Sequence, residues 1–357
     1  MAVFNKNNTG YKDKEYPLFL GNEMGLFDTI NTAYPKLEEL YQTQLSQIWN
    51  EFEVDLTQDR MDMLQVPPEV TDLMVKTISW QHLADSVACK SIAELFLPYC
   101  TNSELEGLLT IQSFFEIIHS RTYSHIVKQT FTDPNKMLED TYNNTQVLMR
   151  SDKIVECFNK LQSIKVTDNI AVKKEAIVNA VVALFGLEGI SFMSSFAVTF
   201  GISETDVFQG IASLVTLIAR DEILHTRMDY EILRILKNSN EWGYIFKENK
   251  HMFKSILDSI VKKELDWTEY LFSEGRQVVG LNATLLKEYV CYMAKPLYEF
   301  LEVPFDFDVI VDNPLPYMDK YIDSSQIQSA AQEIQLTSYN VGVIEDDTDG
   351  LDLDLDF

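Results

Sequence analysis

The run of apolar and polar positions along this chain reads as a succession of helices with recognisable starts and stops. Pro67-Pro68-Glu69 opens a helix that carries on through Asp85 toward Leu97, where Pro98 stops it. Ser103 followed by Glu106 has the form of a capping box for the next helix, which ends near Asp133-Pro134. After a polar stretch from about 139 to 170, a long apolar helix is expected near 172 to 200, and Ser203 with Asp206 resembles the cap of another. Two more are expected at about 245 to 275 and 282 to 300, joined by the Gly275 and Gly280 region. From Val303 onward, Pro304, Pro314 and Pro316 interrupt regular structure. No proline falls between Pro134 and Pro296, which permits long uninterrupted helices. The expected organisation is an N-terminal arm over 1–20, one helical domain over 21–320, and a flexible tail over 321–357.

Two of these helices carry the same chemistry. Glu116-Ile117-Ile118-His119 and Glu222-Ile223-Leu224-His225 each place a carboxylate and an imidazole three residues apart, on one helix face. A single Glu-x-x-His is common on solvated helices, but these two copies sit inside apolar stripes. Two isolated acids join them: Asp85, and Glu188 in the apolar run Val181 to Phe192. A lone carboxylate in such a run is costly unless it is paired or coordinated. One carboxylate from each of two helices plus a Glu-x-x-His from each of two others is the ligand set of ferritin-like dinuclear carboxylate proteins. The fold class that follows is all-α: a ferritin-like helical bundle with a dinuclear metal site in its core. Oxygen and imidazole donors suit iron or manganese. Tyr123, four residues after His119, lies about 6 Å further along the same face, where a phenol beside an oxygen-activating metal pair can be oxidised to a radical.

The composition sets limits on the remainder. A formal charge of −26 works against binding a nucleic-acid backbone. Cys89, Cys100, Cys157 and Cys291 show no clustered spacing, and the first eight residues lack the apolar core of a signal peptide, so a reducing, cytoplasmic setting is expected. No membrane span is expected; residues 176 to 201 come closest, and Glu188 with Gly186 and Gly189 marks that stretch as a buried bundle helix. Seven acids and no base stand between Glu345 and Phe357, and the ending Leu351-Asp352-Leu353-Asp354-Leu355-Asp356-Phe357 alternates apolar and acidic residues. Such a tail either solubilises the chain or docks on a partner that offers apolar pockets and basic groups.

Taken together, His119-Ser120-Arg121-Thr122-Tyr123, Ala219-Arg220-Asp221-Glu222-Ile223-Leu224-His225, the surroundings of Asp85 and Glu188, and Thr337-Ser338-Tyr339 resemble the small, radical-generating subunit of class I ribonucleotide reductase. The resemblance covers the chain from about Asn22 to its end. It implies a homodimer, a ligand set of Asp85, Glu116, His119, Glu188, Glu222 and His225, and a stable radical on Tyr123 shielded by Phe192, Phe196 and Ile218. It also implies a relay in which Trp49 sits near the cluster, Asp221 links it to a ligand histidine, and Tyr339 hands the oxidising equivalent to a catalytic large subunit docked through the C-terminal tail. Glu333 resembles an acid in the same terminal segment.

Gln112, one turn before Glu116, departs from the tryptophan that several family members carry there. The metal stays open: two irons come first, two manganese ions loaded with help from a flavoprotein second, and a mixed pair third. Two other readings of the bundle are a ferritin-like ferroxidase and a stand-alone di-iron oxygenase, which would need an open apolar pocket beside the metals. A metal-free adaptor acting through its tail would leave six inward ligands unused.

Overall fold

The computed structural model describes residues 4–10 and 16–322. The terminal segment that contains Glu333 and Tyr339 lies outside the described residues, as does most of the expected tail. The first helices are α1 (Pro35–Leu45), α2 (Thr57–Gln65), α3 (Pro68–Ser91) and α4 (Ser103–Thr130). The polar stretch from about 139 to 170, to which no element was assigned from the sequence, lies largely in three short helices: α5 (Pro134–Asn143), α6 (Thr145–Met149) and α7 (Asp152–Gln162). They hold because each buries a few side chains against the bundle, Met137, Val147, Ile154 and Phe158 among them. Next come α8 (Ile170–Gly186), α9 (Met193–Ser203), α10 (Gln209–Asn238), α11 (Gly243–Glu248), α12 (Lys250–Leu271), α13 (Ala283–Leu301) and α14 (Met318–Ile322). Among the described residues there is no β-strand, only isolated bridges between Phe19 and Cys100 and between Val278 and Leu281.

Helices α3, α4, α8 with α9, and α10 pack on one another as the central bundle, while α12 and α13 cover the α8 side and α1 lies across α4 and α10. The run Ile170–Ser203 is long and apolar enough to cross a membrane by length and composition, but its apolar window is completely buried inside the protein. It is the central helix of the core. All four cysteines are free thiols.

Two helix starts differ from the expectation, each for a local reason. Asn102, not Ser103, caps α4: its side chain accepts from the Leu105 N–H at 2.8 Å, and Ser103 Oγ instead accepts from the Asp28 N–H at 3.2 Å. At α10 the cap comes from another helix. Asp62 Oδ2 accepts from the Phe208 N–H and Asp59 Oδ1 from the Ile211 N–H, both at 2.8 Å, so α2 satisfies donors that Ser203 and Asp206 were expected to meet. Gly210 makes this approach possible, since a Cβ there would stand 2.3 Å from Asp59 Oδ2.

A buried cation was not anticipated from the sequence. Arg150, just past α6, forms an ion pair with Glu264 of α12, donates to Ser191 O at 3.1 Å, and lies 3.5 Å over the Trp80 ring with Trp267 nearby at 4.8 Å. Guanidinium planarity suits this sandwich between two indoles.

Candidate metal centre

Each bundle helix contributes to one enclosed cluster. Asp85 comes from α3, Glu116 and His119 from α4, Glu188 from the segment joining α8 to α9, and Glu222 and His225 from α10; all six are fully buried. The Glu188 segment is a π-helical turn, Leu187–Phe192, set between two α-helices. Such turns shift the register of side chains and are frequent at functional sites. Its flanking glycines permit the tight packing: a Cβ on Gly186 would lie 2.5 Å from Ile260 Cδ1.

The ligand atoms fall into two overlapping groups of four, Asp85, Glu116, His119, Glu222 and Glu116, Glu188, Glu222, His225, with the atoms of each group within 4.8 Å of one another. Glu116 and Glu222 belong to both. Asp85, Glu116, His119 and Glu222 would hold one cation, and Glu116, Glu188, Glu222 and His225 a second. Both imidazoles present Nδ1 to the cluster, His119 at 2.9 Å from Glu222 Oε1 and His225 at 2.9 Å from Glu116 Oε1. Both oxygens of Asp85, Glu116 and Glu188 lack a hydrogen-bond donor, as expected of groups built to bind cations.

Electrostatics point the same way, because so many acids in one dry volume must be neutralised by protons or by metal. Burial pushes Asp85 and Glu188 well above the ordinary carboxylate range. Burial pulls the imidazoles down, but the facing carboxylates prevail. His119 is held well above its ordinary value chiefly by Glu222 with Asp221 and Glu116, and His225 is pushed up to about 10 by Glu222 and Glu116. Glu222 resists the upward pull of burial through Glu188, His225 and His119, and sits below its ordinary value. Each of these protons is one that a cation would displace.

The residues around the cluster are placed as follows. Tyr123 is fully buried, its hydroxyl has no hydrogen-bond partner, and burial followed by the charge of Asp85 keeps the phenol protonated far above its usual range. Phe192, Phe196 and Ile218 are fully buried, with Phe192 stacked on Phe196 at 5.8 Å. Trp49 donates its indole N–H to Asp221 Oδ2 at 2.7 Å, and that oxygen lies 3.2 Å from His119 Nε2. Sequence reasoning missed the groups that hold Asp221 in place: Gln44 donates to its other oxygen at 3.2 Å and Arg220 Nη2 does so at 3.2 Å. It also missed His82, whose ring stands 6.5 Å from that of Tyr123. His82 precedes Asp85 by three residues, a spacing that could have drawn notice.

A four-helix core with one carboxylate or one Glu-x-x-His per helix defines a ferritin-like protein of the dinuclear-metal class. The sequence matches the family described as "Ribonucleotide reductase, small chain" over residues 26–314. This chain belongs to that family. It is 30% identical over 367 residues to the ribonucleoside-diphosphate reductase subunit beta of Buchnera aphidicola subsp. Schizaphis graminum, covering 95% of this chain and 94% of the relative. In fold it is similar to the ribonucleotide reductase R2 subunit from Clostridium botulinum, with a TM-score of 0.78 at 23% identity over 90% of this chain and 98% of the other. It is also similar to the dimanganese(II)-NrdF of Streptococcus sanguinis, with a TM-score of 0.65 at 20% identity over 81% and 95%.

Proposed function

We propose that this chain generates and stores a tyrosyl radical on Tyr123 and relays it to a separate large subunit that reduces ribonucleotides, taken as diphosphates in keeping with the name of the Buchnera relative. The observation that carries this reading is the sealed phenol of Tyr123 beside six convergent ligands, Asp85, Glu116, His119, Glu188, Glu222 and His225. Two metal ions in this site, iron first and a manganese or mixed pair as the alternatives, supply a strong oxidant when they react with molecular oxygen. Tyr123 then loses one electron and its phenolic proton, and Asp85, whose charge acts on that phenol, is the group to which this reading assigns the proton. Phe192, Phe196 and Ile218 keep water and reductants from the radical.

Trp49 is the exit. Its N–H faces Asp221 Oδ2, so loss of an electron from the indole is coupled to a short proton shift onto that oxygen. From there Tyr339, in the terminal segment, carries the equivalent across to the large subunit, and the acidic and apolar ending docks there. Residues 1–20 serve as an arm and 21–320 as the metal-bearing domain. A homodimer is supported by Phe114 and Ile117, which flank Glu116 on the outer face of α4 and are 47% and 45% exposed. Free thiols among the described residues support a cytoplasmic setting. A manganese form would call on a flavoprotein activator.

A stand-alone oxygenase is less well supported, because a cavity of about 680 Å³ between α3, α5 and α7 is lined by none of the six candidate ligands. Electron paramagnetic resonance after loading with iron and oxygen is expected to show a tyrosyl doublet that Tyr123→Phe abolishes. No doublet with iron or with manganese retires the radical reading. Truncation after Leu336 is expected to keep the doublet and abolish nucleotide reduction with the large subunit, and retained turnover contradicts the roles given to the tail.

A further inference from the structure

The two ligand histidines are not held alike. His119 turns its outer nitrogen, Nε2, to Asp221 at 3.2 Å, whereas Nε2 of His225 is buried without any partner. A metal-bound imidazole nearly always donates that outer N–H to a carboxylate, a carbonyl or a water, which sets its tautomer and its orientation. A buried donor without such a partner carries the full cost of desolvation.

Three more orphaned polar atoms lie one turn beyond it. Asp229 follows His225 by four residues, so it projects from the same face of α10 about 6 Å further along; it is 1% exposed and its Oδ2 has no partner. Gln112 precedes Glu116 by four residues on α4; it is fully buried and both its amide atoms are unpartnered. The two helices run antiparallel here, because His119 meets Asp221 and Glu222 while His225 meets Glu116. One turn back along α4 from Glu116 and one turn forward along α10 from His225 therefore reach the same level. The charge of Asp229 interacts with His225, Glu116 and Glu222, and it acts on Glu188 as well.

We propose that Asp229 and Gln112 are positioning residues for the second metal position, forming with His225 Nε2 a buried hydrogen-bonded unit that orients this ligand as Asp221 orients His119. Asp229 and Gln112 offer at this level the carboxylate and carbonyl acceptors that the outer N–H of a metal-bound imidazole requires. The unit differs from its counterpart: Asp221 is tied to Trp49 and so belongs to the exit route, while Asp229 Oδ2 has no hydrogen-bond partner. Asp229 and Gln112 thus serve metal retention and selectivity at one position only. This inference rests on the dinuclear reading of the cluster.

The test is anaerobic titration of the full chain with Mn(II), followed by calorimetry and by the signal of free Mn(II) in paramagnetic resonance. Wild type is expected to bind two ions. Asp229→Leu is expected to weaken the second by about 10- to 100-fold, the usual effect of losing an outer partner of a metal-bound histidine, and to leave the first ion unchanged. Asp229→Asn, which keeps an acceptor, is expected to recover much of that loss, and Gln112→Leu to show a smaller weakening of the same ion. A second-ion affinity in Asp229→Leu equal to that of wild type overturns the proposal. If that variant does not fold, wild-type affinities in both Asp229→Asn and Gln112→Leu overturn it equally. Fewer than two ions in wild type counts against the metal centre itself, and so is distinguishable from failure of the positioning role.

Discussion

Trp49 and Asp221 are joined by a 2.7 Å hydrogen bond between side chains that are 172 residues apart in sequence and both buried. Because the accepting oxygen also faces His119 Nε2, indole, carboxylate and ligand imidazole form one continuous path, with the Trp49 and His119 rings 6.0 Å apart and 25° from parallel. Trp49→Phe preserves shape but removes the N–H. It is expected to leave the Tyr123 doublet intact while turnover with the large subunit is lost. Asp221→Asn is expected to weaken metal retention by about 10- to 100-fold as well, because it alters the partner of a ligand histidine. Paramagnetic resonance and a turnover assay on the same samples separate the two effects.

Acidity and metal should act in opposite directions on stability. In metal-free protein His225 holds its proton up to about pH 10, against an ordinary value of 6.5. The folded state therefore binds that proton more tightly than the unfolded chain, and the stabilisation is complete below pH 6.5 and lost as pH rises through about 10. Asp85 and Glu188, also raised, begin to lose theirs from 3.8 and 4.5 upward. Glu222, lowered, contributes above 4.5 and loses its share on acidification. With metal bound the ligands are deprotonated, so acid competes with the ions. Melting temperature measured with chelator is expected to fall from neutral to alkaline pH, whereas the metal-loaded protein holds over that window and declines in acid. A metal-free melting temperature that rises between pH 6.5 and 10 contradicts this.

Arg150 and Glu264 are paired at essentially zero exposure between Trp80 and Trp267. Removing one partner leaves an uncompensated buried charge, so Arg150→Met is expected to destabilise by about 3–5 kcal/mol. Replacing both with apolar residues of similar volume is expected to recover most of that loss. Denaturant unfolding of the single and double variants reads the difference, and additive losses would show that the two charges do not act as a pair.

The start of α10 depends on α2. Asp59→Ala and Asp62→Ala each remove a carboxylate that caps a backbone N–H across the chain, with an expected cost of about 0.5–2 kcal/mol. Ser203→Ala is expected to cost less, because its hydroxyl meets only the Gln209 side chain. Gly210→Ala should be the most damaging of the group, as its Cβ would press on Asp59 Oδ2. Thermal melts in which Ser203→Ala loses more stability than the aspartate variants would refute the assignment.

Local periodicity was sufficient to reveal the bundle and to single out its candidate ligands. Glu-x-x-His is a statement about one helix face, and an acid such as Glu188 in an apolar run stands out before any coordinates are known. The short helices between Asp133 and Ser163 were not legible, since their stability comes from packing on α3, α8 and α12 and not from their own composition. The caps of α4 and α10 were misplaced for a related reason. Ser103 and Ser203 have the right residue type at nearly the right place, but the hydrogen bonds go to whichever acceptor the fold brings within reach.

From the sequence alone came the helical class, the six candidate ligands and the phenol beside them, because spacing along a helix converts directly into a shared face. Only the tertiary structure decided that Glu116 and Glu222 belong to both groups of convergent donor atoms, that Asp221 stands between Trp49 and His119, and that His225 lacks the partner His119 has. Those are relations between helices distant in sequence, and no periodicity within one helix encodes the register in which two of them meet.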